Sequence, residues 1–372
     1  MTRFSLSRRT ALILPLAIAL PHRARAAGVT FTDAIGRTVT LRAPAERIVL
    51  GFQLEEFTAV AGAEGWRRVV GFNRRQWEVN RPSLWARMPK AIPNLTSLPD
   101  IGEMGEGTFK VETVLSLRPD LLVVIAYDYK AQAAQIAQVE AAGIPVLVLD
   151  YQAQEPAKHV AGALALGAAI GETDRARALA DLYRDRMAEI MRRIAGRPTP
   201  RAYFELGAGG PGVIGNTYNG AMWGRMVQTA GGANIADGKL PGPWAPMAPE
   251  AVLAAQPNFV FLTGSSWAKA NGAIRTGYDA DLETSRARLR GYVARPGWAD
   301  LPAVRNGEVH ALDAGLARSL WDFTSMLYVA KRLHPDVFAD ADPVGELRRY
   351  HERFLPIAFE GEWMVRMAPA GA

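Results

Sequence analysis

The chain has 372 residues, 49% hydrophobic and 22% charged, without compositional bias, which excludes a disordered or fibrous protein and leaves room for two domains or one large one. Its formal charge is +6, yet five of its 43 basic residues and none of its 37 acidic ones fall in the first 26 positions, so the remainder carries only +1. A basic excess confined to one end argues against a nucleic-acid partner, and the absence of cysteine excludes thiolate metal sites and cysteine nucleophiles.

Arg3, Arg8 and Arg9 precede ten apolar residues, Ala11 to Leu20, followed by Ala24-Arg25-Ala26. A basic start, a short apolar run and a small-x-small site predict an export leader over 1–26, with the mature chain beginning near Ala27. Ser7-Arg8-Arg9 resembles a twin-arginine signal. No lipid-bearing cysteine is present and no later run reaches 18 apolar residues, so the expected product is exported, soluble and not lipid-anchored.

From Val29 onward short apolar runs alternate with helical stretches. Arg47 to Leu50, Arg68 to Gly71, Leu121 to Ile125 and Val146 to Leu149 read as buried strands, with helices expected at Val111 to Leu117 and Tyr129 to Ala142. After about Thr199 the pattern resumes. Strands are expected at Arg201 to Glu205, Phe259 to Leu262 and Glu308 to Leu312, with helices at Ala221 to Thr229 and Glu250 to Ala255. Such alternation predicts mostly parallel sheets with helices on their faces.

One motif occurs twice. Glu112-Thr113-Val114-Leu115 leads to Pro119-Asp120 and the run Leu121 to Val124; Glu250-Ala251-Val252-Leu253 leads to Pro257-Asn258 and the run Phe259 to Leu262. The spacing E-x-V-L-x-x-x-P-[D/N] is the same in both, 138 positions apart, and each copy reads as a short helix, a proline stop and a buried strand. Two similar α/β lobes are therefore expected. Between them Glu172 to about Ile194 carries Leu179, Leu182, Tyr183, Met187, Ile190 and Ile194 at helical spacing, with Thr173 or Asp174 as its cap and Gly196 and Pro198 beyond its end. At 1.5 Å per residue it runs about 35 Å, long enough to be a spine joining the lobes. The resulting division is 27–171, 172–196 and 197–372: two Rossmann-like α/β lobes with mostly parallel sheets, bridged by one long helix.

The order of these pieces resembles the iron-siderophore and cobalamin family of periplasmic binding proteins. Thr32 to Leu41 and Pro44 to Val49 look like that family's opening hairpin and first strand. Asp100-Ile101-Gly102 with Val111-Glu112 and Leu117 to Leu121 resembles its first-lobe signature, and Gly143 to Val146 its next strand. Ala230 to Asn234, Trp244 and Pro249-Glu250 resemble its second-lobe signature, and Lys331 to Pro335 with Phe338 and Asp340 its ending. The resemblance implies a non-enzymatic, monomeric carrier. It would hold a small-molecule metal chelate, an iron(III) siderophore foremost, in a groove between the lobes and deliver it to the permease of an inner-membrane ABC importer. It also implies one docking glutamate per lobe, which fall on Glu112 and Glu250; a carboxylate in a helix's first turn is well placed for a bidentate arginine contact. No covalent cofactor is expected.

Loops at the carboxyl ends of the strands would face such a groove. They carry Arg74, Arg75, Trp77, Arg81 and Trp85, then Tyr127 and Tyr129, and in the second half Asn216, Tyr218, Trp223, Trp244, Ser265, Trp267, Arg318 and Trp321. Arginine beside aromatic surface suits an anionic, partly apolar ligand. Trp66, Trp298 and Trp363 are assigned to packing. His159, His310, His334 and His351 show no pair at ligand spacing, which favours a metal already wrapped in a chelator over a bare ion. Gly207 to Gly212 matches G-x-G-x-x-G, but Pro211 and Gly215-Asn216 continue a loop rather than open a helix, so it reads as a flexible edge of the groove. Haem, cobalamin, a nickel or cobalt chelate and molybdate remain alternative cargoes, and an exported enzyme using the cleft the alternative class.

Overall fold

The computed structural model describes Met1, residues 28–267 and residues 272–367; the expected leader, Met1 apart, lies outside the described residues. The chain opens with an antiparallel hairpin, β1 (Val29–Thr32) and β2 (Thr38–Leu41). Its turn is set by Asp33, whose carboxylate accepts from the backbone N–H of Ile35 (3.1 Å) and Arg37 (2.9 Å), and by Gly36 at φ 82°.

The first sheet contains β3 (Ile48–Leu50), β4 (Val69–Phe72), β5 (Leu121–Ile125) and β6 (Val146–Leu149) in the order β4-β3-β5-β6, all parallel. The second contains β7 (Arg201–Leu206), β9 (Ala233–Asn234), β11 (Phe259–Gly264), β12 (Val309–Asp313) and β13 (Met364–Arg366) in the order β13-β12-β11-β7-β9. Only the edge strand β13 is antiparallel to its neighbour. A separate ribbon pairs β8 (Asn216–Tyr218) with β10 (Trp244–Pro246). The α/β class with mostly parallel sheets is thus as the sequence predicts. One helix differs: the stretch expected as Tyr129 to Ala142 is two helices, Ala126–Ala131 and Ala133–Ala141, broken at Gln132, whose amide reaches out to donate to Met104 O (2.6 Å).

The repeated motif has a repeated physical role. The helices Val111–Leu117 and Pro249–Ala255 both end on a residue in the left-handed region, Arg118 and Gln256, each at φ 46°. The next polar residue stitches the first strand of its sheet: Asp120 accepts from Glu46 N and Arg47 N (both 2.9 Å), and Asn258 from Arg201 N (3.2 Å). Arg47 then donates to Leu117 O (2.7 Å) and Arg118 O (3.2 Å), and Arg201 to Gln256 O. An arginine in each lobe thereby satisfies carbonyls that a helix end leaves without partners, at the negative end of its dipole.

The spine is the helix Thr173–Ile194, capped by Glu172 without a side-chain bond rather than by Thr173 or Asp174. Ala176, Leu179, Ala180, Tyr183, Met187 and Ile190 form its buried stripe. Near its start Arg175 donates to Ala59 O in the first lobe (2.6 Å); near its end Arg193 pairs with Asp340 in the second (2.7 Å). One continuous core runs along it, from Ile48, Leu50 and Phe57 to Phe204, Trp223 and Leu312. Gly167 of the neighbouring helix Pro156–Ile170 permits the close approach, because a Cβ there would lie 2.2 Å from that of Ala176. Gly167→Val is therefore expected to lower stability by about 1–3 kcal/mol in urea unfolding, whereas the same change at Gly212, where no atom lies within 4 Å, is expected to do far less.

Candidate functional site

The carboxyl ends of strands from both sheets converge, as parallel α/β sheets require for a ligand site. The floor is organised by Arg81. Its guanidinium lies 3.3 Å from Glu55 of the first lobe and 3.8 Å from Asp313 of the second, and all three side chains are buried. Asp313 is oriented by Gly315 N (2.8 Å) and Thr276 Oγ1 (3.3 Å). Gly315 leaves room for this arrangement, since a Cβ there would fall 2.2 Å from the Arg81 nitrogens and displace that side chain. Burial pushes the carboxyl groups of Glu55 and Asp313 up, against the pull of Arg81. Glu56, buried with Glu55 beside it and Arg81 further off, is pushed well above the carboxylate range.

Around this triad lie polar groups without partners. Gln53, 1% exposed, leaves both amide atoms unbonded, and the Trp77 indole nitrogen and Ser319 Oγ likewise have no partner among the described residues. Arg318 has no acid within ion-pair distance among the described residues; its guanidinium lies 5.5 Å over the Phe52 ring, and burial together with Arg81 lowers its pKa. Gln53 and Arg318 both adopt left-handed backbone, at φ 47° and 58°. Such conformations in non-glycine residues cost roughly 1–3 kcal/mol each and cluster at binding sites. The set of amide, indole, hydroxyl and guanidinium donors suits an oxygen-rich anion.

Above the floor further contacts cross the cleft. Ser83 and Ser266 are hydrogen-bonded, and Arg87 pairs with Asp279 (2.7 Å) and Glu360 (2.8 Å). At the mouth Tyr127, 50% exposed, faces Trp244, 43% exposed, with ring centroids 6.3 Å apart.

The expected ligand residues divide into three groups. Arg318, Trp77 and Tyr218 belong to the floor, Arg318 being a charged neighbour of the Tyr218 phenol. Tyr127 and Trp244 form the mouth, and Trp267, half-buried, follows Ser266 at the edge of the described segment. The others are placed elsewhere. Arg74 is tied to Glu78 (3.1 Å) and Thr96 O (3.0 Å), while Arg75 is exposed outside the floor. Tyr129 lies under Arg37, which stacks 4.4 Å from its ring and donates to its hydroxyl (2.8 Å). Trp223 and Trp321 are core residues, stacked on Phe204 (5.0 Å) and His351 (5.1 Å). Trp66, Trp298 and Trp363 are buried in packing positions. The Gly207–Gly212 loop, expected as a flexible edge, is pinned by Arg295, which donates to Pro211 O (2.8 Å) and Val213 O (2.7 Å) from a buried pair with Glu205. Sequence reasoning missed Gln53, Glu55, Asp313 and Ser319. The available signal was Gln53-Leu54-Glu55-Glu56, acids directly after an apolar strand.

Two α/β lobes on one rigid helix, with donors converging from both sides of a cleft, define a cleft-type ligand-binding protein. Residues 79–316 match the periplasmic binding protein family, and the chain belongs to it. Its architecture is that of the class III members, the group of the siderophore and cobalamin carriers. Members bind small molecules and work with ABC permeases. The TroA-like periplasmic binding protein FepB from Veillonella parvula is 31% identical, with 91% of this chain and 100% of that one aligned at a TM-score of 0.85. Molybdate-bound MolA from Haemophilus influenzae (16% identity, 90% and 99% covered, TM-score 0.66) and the vitamin B12 binding protein BtuF of Vibrio cholerae (20%, 78% and 98%, 0.58) share the fold. No curated protein sequence matches the chain. Among the described residues no helix is long and apolar enough to cross a membrane.

One group gives the site a pH signature. Asp128, 4% exposed, has no side-chain hydrogen bond or ion pair among the described residues, and burial followed by the Glu103 charge pushes its carboxyl up to about 7. An unfolded aspartate titrates near ~4, so ionisation favours the unfolded chain and this residue's relative stability is lost as pH rises from about 4 to about 7. Asp128→Asn is expected to melt above the wild type at pH 8, by up to about 4 kcal/mol at about 1.4 kcal/mol per pKa unit. The advantage should vanish near pH 4.

Proposed function

We propose that this chain is the exported solute-binding component of an ABC importer that captures an anionic metal chelate, a ferric siderophore foremost, in the interlobe cleft. The observation that carries this reading is the Arg318 guanidinium, unpaired in a floor whose other partnerless groups are mostly donors. Chelate oxygens bearing residual negative charge supply the acceptors these groups lack, and the adjoining Phe52 and Tyr218 rings supply apolar contact. Docking is assigned to Glu112 and Glu250. Both are exposed in the first turn of the two repeated helices, with no ion-pair partner among the described residues. Compact oxyanions are the second reading, favoured by the buried amide, indole and hydroxyl groups without partners beside Arg318.

Fluorescence titration of the mature protein with ferric siderophores, haem, cobalamin and molybdate tests the assignment. A ferric chelate is expected to saturate at micromolar concentration or below, about −8 kcal/mol or better, and Arg318→Ala to weaken it at least about tenfold, a loss of roughly 1.4 kcal/mol. Saturation by molybdate alone would shift the reading to the oxyanion, and saturation by cobalamin alone would overturn it. Glu112→Ala with Glu250→Ala is expected to abolish uptake in cells while leaving the titration unchanged; undiminished uptake would remove the docking role.

A further inference from the structure

The mouth of the cleft has a different chemistry from its floor. Tyr127, from the helix Ala126–Ala131 that follows β5, and Trp244, from β10, are among the most exposed large apolar side chains of the described residues, yet they face each other across the two lobes. Next to Tyr127 in the chain stands Asp128, almost wholly buried and without a donor or cation to satisfy it among the described residues. Gly105 shows where the carboxylate and the ring converge: a Cβ there would lie 3.8 Å from Asp128 Oδ1 and 4.0 Å from Tyr127 Cε1, with no other heavy atom within 4 Å. Glu103, on the same loop, is half-buried. Burial, with Glu106 next, pushes its carboxyl up, and Arg75 acts on it only from beyond pairing distance. On the same helix Tyr129 is already engaged by Arg37, and Lys130 is exposed and makes no ion pair with Asp128.

We propose that the cleft mouth beside the exposed Tyr127 and Trp244 rings, at the Asp128 carboxylate, holds a positively charged organic group of the cargo: an ammonium or guanidinium arm whose chelating body lies deeper, against Arg318. Two aromatic faces and a carboxylate are the standard means of holding an organic cation, through ring quadrupoles and one charge-assisted hydrogen bond. A cation also resolves the anomaly of Asp128, since it provides the partner that burial withholds. The carboxyl binds such a group in its ionised form, so preference for the cation grows as pH rises through about 7, with Glu103 the charge that acts on Asp128 and Glu106 and Arg75 acting in turn on Glu103. A permease side chain could carry the same charge. Asp128 is buried, unlike the exposed Glu112 and Glu250, which favours the cargo.

This inference rests on the carrier reading, and the experiment separates the two. A linear ferric trihydroxamate with a free terminal amine and its N-acetyl derivative are titrated calorimetrically into the mature protein at pH 8 and pH 6. The free amine is expected to bind about tenfold tighter at pH 8. The gap should shrink at pH 6 and close in Asp128→Asn and in Trp244→Ala, both checked for an unchanged fold by circular dichroism. Equal affinity of the two chelates in the wild type, or a gap that survives Asp128→Asn, overturns the mouth site while the carrier reading stands. If neither chelate binds, spermidine is the probe. Saturable heat that Asp128→Asn removes supports the mouth site while the ferric trihydroxamate fails as cargo, and no heat overturns the site. If Asp128→Asn leaves both affinities and their gap unchanged but lowers uptake, the group serves the permease and the proposal falls.

Discussion

The structure depends on one buried charge, the guanidinium of Arg81. Glu55 and Asp313 come from different lobes, and neither can be buried at low cost without a cation between them. Arg81 supplies it, and Gly315 leaves the room it needs. The contact that bridges the lobes and the contact that neutralises the floor are therefore the same. With both acids committed to Arg81 and burial holding Glu56 toward its neutral form, no acid pairs with Arg318 among the described residues, and the second guanidinium is left to whatever enters the cleft.

The backbone of the cleft is held apart from this electrostatic device. The hydrophobic core passes without interruption along the Thr173–Ile194 helix from one sheet to the other. A buried cluster reinforces the junction: Asp322 of the second lobe accepts from Tyr183 of the spine (2.8 Å) and meets His159 of the first lobe (2.9 Å), with the imidazole stacked on the Tyr183 ring at 4.9 Å. Wide hinge opening would have to break that core and cluster together. Cargo exchange is better served by the side chains that cross the cleft nearer its mouth, such as Arg87 with Asp279 and Glu360, whose partners are partly exposed and separate at low cost.

Much of this was legible in the sequence, and the reason is locality. Strand runs such as Leu121–Ile125 and the repeated E-x-V-L-x-x-x-P-[D/N] segments carry their own turn and burial signals within a dozen residues. The spine announces itself by its periodic stripe. Family resemblance implied a groove, and the loops at the strands' carboxyl ends pointed to Arg318, Tyr127 and Trp244 among others. It could not tell Tyr129 from Tyr127, because only the fold brings Arg37 over one of them. Nor could it separate Trp223 and Trp321 from groove residues, since a tryptophan in a loop-to-helix segment has the same local sequence whether its ring faces a core or a ligand. The floor residues Glu55 and Asp313 were least legible of all: their role exists only once two lobes, more than 250 positions apart in sequence, meet on Arg81.

The most direct measurement is the position of iron, by anomalous diffraction, in crystals grown with the ferric chelate that titrates tightest. The account predicts iron inside the cleft, wrapped by its chelator, with chelate oxygens on the Arg318 guanidinium and the Gln53 amide. Iron on the outer surface, or ligated by protein carboxylates with Arg318 untouched, would contradict it.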